Sequence, residues 1–177
     1  MSEIILITGE IGSGKTSFCL KIVEIARAEG VDLAGLISPG LFRDDKKVAI
    51  DVHDLRSRQQ RRLAVLNIDQ DSKIQTKRWA FDPEITEWGN RVLAKASPCD
   101  LLLIDEIGPL EFNRDQGWMN GVQAVKEGDF QSALVVIRPS LVIQAQAIWQ
   151  VARIIDLDHS PVNPMDFYQS LDLETRN

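Results

Sequence analysis

Cysteine, histidine and positive charge are all in short supply in this chain. Cys19 and Cys99 are the two cysteines, and without C-x-x-C spacing they form neither a disulfide framework nor a zinc site. The two histidines, His53 and His159, have no metal-ligand partners at useful spacing and read as structural. A net charge of −6 removes any global electrostatic case for a nucleic-acid or membrane partner. Long apolar runs are missing too: Ala133 to Ile137, among the longest, is far too short to span a bilayer. The N-terminus enters strand-like sequence directly, without the basic stretch, apolar core and cleavage pattern of a secretory leader. A cytoplasmic location is therefore expected.

Hydrophobic residues make up 44% and charged residues 26% of the 177, enough for one sizeable core and too little for two. A single domain over residues 1–177 is expected. Apolar stretches at Ile4–Ile7, Leu33–Ile37, Leu101–Ile104, Leu134–Ile137 and Ala152–Leu157 alternate with helical patterns. Several are continuous, as in strands buried on both faces of a parallel sheet. Asp82-Pro83 reads as an N-cap and first helical position, followed by the stripe Ile85, Trp88, Val92 and Ala96. Shorter stripes run through Trp118, Val122 and Val125, and through Leu141, Ala145 and Ile148. This alternation predicts an α/β fold of three layers. Residues from about 43 to 79 break the rhythm. There Asp44-Asp45-Lys46-Lys47 reads as a turn, Val48, Ile50 and Val52 alternate against Ala49 and Asp51, and Leu63 to Leu66 form a second strand. Together they predict a β-hairpin insertion attached to a mostly parallel sheet. Glu174 to Asn177 read as a frayed end.

One segment stands out chemically. Gly9-Glu10-Ile11-Gly12-Ser13-Gly14-Lys15-Thr16 fits G-x-x-x-x-G-K-[ST]. It lies between the strand at Ile4–Ile7 and a helix marked by Phe18, Cys19, Ile22, Val23 and Ala26, with Gly30 placed to stop that helix. Strand, glycine loop and helix are what a phosphate-binding P-loop requires. The glycines let successive N–H groups point inward at a polyphosphate, and the helix N-terminus adds donors and partial positive charge. Gly9 to Thr16 and the following Ser17 are thus expected to cradle a nucleoside triphosphate such as ATP or GTP. Lys15 would reach the β- and γ-phosphates, and the Thr16 hydroxyl would sit on Mg²⁺.

Leu101-Leu102-Leu103-Ile104-Asp105-Glu106 is an apolar strand ending in two carboxylates. In P-loop enzymes a strand beside the P-loop strand ends in an aspartate of the Mg²⁺ shell, the role expected of Asp105. Strand periodicity swings Glu106 toward the other face, where a carboxylate off the metal can orient and deprotonate an attacking water. Asp105-Glu106-Ile107-Gly108 also fits D-x-x-G, but no N/T-K-x-D element for guanine follows, which disfavours a regulatory GTPase. Charge on the transferring phosphoryl needs a cation beyond Lys15 and Mg²⁺. Arg43, Arg114 and Arg138 are candidates, Arg138 foremost because it follows Leu134–Ile137 at the sheet's ligand-binding edge. Arg56, Arg58, Arg61 and Arg62 read as a solvated hairpin face. Trp79, Phe81, Trp88, Trp118 and Trp149 read as core or interface rather than as a base-stacking surface.

With these residues together, the chain resembles the THEP1-like nucleoside-triphosphatase family over most of its length. The likeness rests on Gly9 to Thr16, on Gly35-Leu36-Ile37-Ser38-Pro39 with the hairpin at Arg43, and on Asp51 to Leu63. It continues through Trp79 to Trp88 and Asp105-Glu106-Ile107-Gly108-Pro109-Leu110-Glu111. The resemblance implies a RecA-like P-loop fold and slow, Mg²⁺-dependent hydrolysis of several nucleoside triphosphates with loose base selectivity. It carries Lys15 and Thr16 over as phosphate and metal residues, and Asp105 and Glu106 as metal and water residues. Two segments depart from the family. Ser38 to Arg43 lacks the usual threonine and glutamate, and Pro164 follows Asn163 where an arginine is common. Two other readings stay open. One is a small nucleoside or nucleotide kinase, weakened because Arg153 is the only arginine between Arg138 and the tail. The other is a nucleotide-dependent switch or assembly factor, with an unidentified protein partner or a second copy of the chain.

Overall fold

In the computed structural model, which describes residues 2–67, 74–75, 78–171 and 173, the continuous apolar runs form buried strands. β1 (Glu3–Thr8) leads through the glycine loop into α1 (Lys15–Ala28) and β2 (Leu33–Ile37). There follow β3 (Gly40–Arg43), β4 (Lys46–Asp54), β5 (Gln60–Leu66), β6 (Ile74–Gln75), β7 (Trp79–Phe81) and α2 (Pro83–Leu93). Next come β8 (Leu101–Ile107), α3 (Pro109–Arg114), α4 (Met119–Glu127) and β9 (Ser132–Ile137). A 3-10 turn at Pro139–Leu141, α5 (Val142–Ile148), β10 (Val151–Asp156) and α6 (Pro164–Gln169) complete the order. Part of the insertion, 68–73 and 76–77, and the tail expected to fray, Glu174 to Asn177, lie outside the described residues.

The strands share one sheet in the order β10-β1-β9-β8-β2-β4-β5-β7-β6, with β3 paired to β4. From β10 to β2 the pairing is parallel; from β4 onward it is antiparallel. β8 is therefore not beside β1, as expected of the carboxylate strand, because β9 lies between them. The reason is burial: all six residues of β9 are buried, and only a strand with paired edges and two covered faces can satisfy such a run.

Strand alternation sends side chains into two cores. Ile5, Ile7, Leu101, Leu103, Leu134 and Val136 face α1 and α6. Leu6, Leu102, Ile104 and Val135 face the layer that holds Trp88, Trp118 and Trp149. Fully burying each large apolar side chain contributes about 1.5–3 kcal/mol, so both faces are committed. Gly35 (φ 112) lets β2 close on β8, because a Cβ there would lie 1.9 Å from the Leu103 carbonyl oxygen.

Three local expectations change. The hairpin begins earlier than residue 43, at Gly40, and its turn is only Asp44-Asp45, at φ 48 and 58. Lys46 and Lys47 already pair within β4 against Arg43 and Phe42. α2 stops at Leu93, short of Ala96, which is still buried. Arg56 is exposed, as expected of a solvated face, and it also bonds Asp32 and the carbonyls of Lys95, Ala96 and Pro98, tying the hairpin to the end of the α2 turn. No helix among the described residues is long and apolar enough to cross a membrane.

Candidate active site

The loop between β1 and α1 curls because Gly14, the N-cap, takes a left-handed conformation (φ 86) that a side chain would resist. α1 has no side-chain cap, so its first-turn N–H groups and its positive dipole end face the loop. The Lys15 ammonium donates to the carbonyls of Gly9 (2.6 Å) and Glu10 (2.7 Å) and to Ser13 Oγ (3.3 Å). Glu10 N–H donates to Asp158 Oδ2 at 2.6 Å, which anchors the loop to the segment after β10. Ile11 and Ser17 are exposed, and Gly9 is buried at the end of β1.

Across the sheet edge lies a cleft of about 160 Å³ whose lining includes Thr16, Ser38, Asp105, Glu106, Glu111 and Arg138. Asp105 is buried; it accepts the Ser38 N–H at 3.2 Å and the Thr16 hydroxyl. Burial pushes its carboxyl up to about 6, with Glu106 adding repulsion, while the two hydrogen bonds and Lys47 pull it back. Glu106 faces the same cleft rather than the opposite face. The parallel register of β8 with β9 breaks between Ile104 and Ile107, so strict alternation is suspended at the two carboxylates. Arg138 follows β9 and donates from Nε to Glu106 Oε1 at 2.7 Å. Arg43 and Arg114 are not part of the cleft lining.

Glu111 was legible only as a position shared with the family. It is a buried acceptor for Gly108 N–H (2.7 Å) and Trp118 N–H (2.6 Å), closing the turn from β8 into α3. Burial pushes its carboxyl up to about 7 against those backbone bonds. Trp88, Trp118 and Trp149 are buried in the core, as read from spacing, whereas Trp79 and Phe81 are half-buried; Trp79, Phe81 and Trp118 all join the cleft lining. Lys47 and Thr86 also line it, with no site motif to mark them, and so does Ser38, which the sequence marks only as part of the family-like segment Gly35 to Pro39. The Ser38 hydroxyl is buried with no hydrogen-bond partner among the described residues.

A glycine loop opening α1, and a carboxylate strand of the same parallel sheet ending over it, are the fold of the P-loop NTPases. The family model described as NTPase matches residues 4–154, and the chain belongs to this family, that of the THEP1-like proteins. Nucleoside-triphosphatase THEP1 of Sulfurisphaera tokodaii is 27% identical over 109 residues, 62% of this chain and 63% of that one; the match thus spans less than two thirds of the relative. The solution structure of a human cancer-related nucleoside triphosphatase superposes with a TM-score of 0.69 at 18% identity, covering 96% of this chain and 95% of that one. For the crystal structure of THEP1 from Aquifex aeolicus the TM-score is 0.68 at 19% identity, covering 96% and 99%. At such identities the two structures establish the shared fold.

Proposed function

We propose that the protein, acting as one catalytic domain, hydrolyses nucleoside triphosphates, ATP and GTP among several, to diphosphate and phosphate with Mg²⁺. One observation carries the reading: Thr16, Asp105 and Glu106 face a single cleft beside the loop that holds Lys15. The metal fits this donor set. A hydroxyl and a carboxylate, already bonded to each other, are the hard oxygen ligands Mg²⁺ prefers. Among the described residues no cluster of three acidic, histidine or cysteine side chains forms a closed cage, which suits an ion that shares its shell with substrate phosphates. When bound, Mg²⁺ would neutralise charge on the β- and γ-oxygens.

The remaining work falls to the chain. The loop N–H groups and Lys15 hold the phosphates, and Asp105 keeps Thr16 oriented. Glu106 takes the proton of the attacking water, with Arg138 fixing its carboxylate toward the cleft. A cytoplasmic place of action fits Cys19 and Cys99, both buried and neither joined in a disulfide. A second reading, phosphoryl transfer to an acceptor seated against Trp79 and Phe81, has the cleft's size in its favour. Its volume of about 160 Å³ is many times the roughly 10–15 Å³ that one water molecule needs on the same measure.

Mg²⁺-dependent phosphate release from ATP, GTP, CTP and UTP, without added acceptor, tests the proposal. Lys15→Ala and Glu106→Gln are each expected to lose about 100-fold or more in rate, with nucleotide affinity kept in Glu106→Gln. Tight binding by the wild type with no release would overturn hydrolysis and favour the acceptor reading.

A further inference from the structure

Charge that develops on the γ-phosphoryl group needs a cation on the side away from the P-loop. The arginine best placed in sequence, Arg138, is committed to Glu106 through a 2.7 Å ion pair. Among the described residues, Lys47 is the other cation in the cleft lining, alongside Thr16, Asp105 and Glu106. It comes from β4 of the hairpin, half-buried, while its neighbour Lys46 is exposed. Two features hold its side chain on course. A Cβ on Gly40, on the paired strand β3, would stand 2.5 Å from Lys47 Cε, so glycine at that position leaves the stem its path. The Trp79 ring, whose centroid is 5.5 Å from Lys47 Nζ, flanks the ammonium. Burial lowers its pKa, with the repulsion of Arg78 and Arg138 in the same direction, and the attraction of Asp105 and Glu106 offsets part of that.

We propose that Lys47 is a catalytic residue, the cation that the hairpin sets against the γ-phosphoryl group, supplied by the same chain that carries the P-loop. The proposal rests on the hydrolase reading above. In the step it serves, the water oxygen forms a bond to the γ-phosphorus while the bond from that phosphorus to the β–γ bridging oxygen breaks. The bridging oxygen leaves with the electron pair on the nucleoside diphosphate, and the water proton passes to Glu106. Lys47 keeps its own proton and donates hydrogen bonds to the equatorial oxygens. Because the cation is in cis, turnover per molecule is independent of protein concentration.

The test compares wild type with Lys47→Met, Lys47→Arg and, as a control on the exposed side, Lys46→Met. Steady-state phosphate release from Mg·ATP is measured with the affinities for ADP and for ADP with aluminium fluoride, a mimic of the transferring phosphoryl. Lys47→Met is expected to lower kcat about 100-fold with KM changed by no more than about threefold. It should weaken the fluoride complex by a similar factor and leave ADP affinity intact. Lys47→Arg should recover at least about a tenth of the wild-type rate, and Lys46→Met should match wild type. An active wild type with Lys47→Met within about threefold of its kcat overturns the assignment alone. Loss of ADP binding together with kcat overturns it too, by making Lys47 structural. A wild type that releases no phosphate from any nucleotide sinks the hydrolase reading itself.

Discussion

The parallel and antiparallel halves of the sheet are built on different terms. In β8 and β9 all residues but one are buried, and in β1 four of six, so position is set by packing on both faces and tolerates little change. In β3 and β5 at least half the residues are exposed, and cross-strand pairing with one-sided burial sets the geometry. The parallel half carries the phosphate loop and the two carboxylates. The antiparallel half contributes Lys47, Trp79 and Phe81 to the same cleft. The residues proposed for the triphosphate chemistry thus lie in the more buried half, and the more exposed half supplies other side chains to the same cleft.

The sharpest test of this contrast is Gly35→Ala, at the seam between the halves. An added Cβ would meet the Leu103 backbone at 1.9 Å, on a residue at φ 112, and neither strand can give way. A loss of about 3 kcal/mol or more is expected, read as a melting temperature lower by roughly 6–12 °C. A melting point unchanged in that variant would mean the two halves are not locked together.

A smaller effect concerns the turn out of β8. Glu111 titrates near 7 in the folded chain against an ordinary 4.5, chiefly through burial. Between those values the folded state binds the proton that the unfolded state has released. Its contribution to stability is therefore full below about 4.5 and lost as pH rises through about 7. Glu111→Gln removes this dependence. Between about pH 4 and pH 8 the wild type should lose about 3 kcal/mol relative to the variant, measured by urea unfolding at each pH. Parallel curves for the two proteins would show that the buried carboxyl does not titrate differently on folding.

The smallest effect is predicted on the hairpin. Phe42, in β3, is 62% exposed, so Phe42→Ser should shift stability by no more than about 0.5 kcal/mol, read by thermal melting. A large loss would mean that the hairpin face is covered and that the two halves are less different than their burial implies.

Much of the more buried half was legible. Gly9 to Thr16, the apolar strand into Asp105 and the Asp82-Pro83 helix start follow from periodicity and capping chemistry that act over a few residues, and Asp82 does accept the N–H groups of Glu84 and Ile85. The hairpin was harder to read. β3 holds Leu41 and Phe42, both exposed, so no apolar alternation marks it, and the two lysines after Asp45 looked like turn rather than strand. Arg56 is exposed as its sequence context implies, but its partners, Asp32 and the carbonyls near Pro98, are distant in sequence and leave no local sign.

The sequence by itself determined a glycine loop of P-loop pattern between a buried strand and a helix, a second buried strand ending in two acids, and an inserted hairpin. Glycine conformations, helix periodicity and uninterrupted apolar runs are local, so they survive reading one residue at a time. Only the tertiary structure decided that β9 stands between β1 and β8, and that a register break turns Asp105 and Glu106 into one cleft. It alone committed Arg138 to Glu106 and brought Lys47 across from the hairpin. Those outcomes depend on which surfaces can be buried together and which charges then face each other, and such contacts leave no local pattern in the chain.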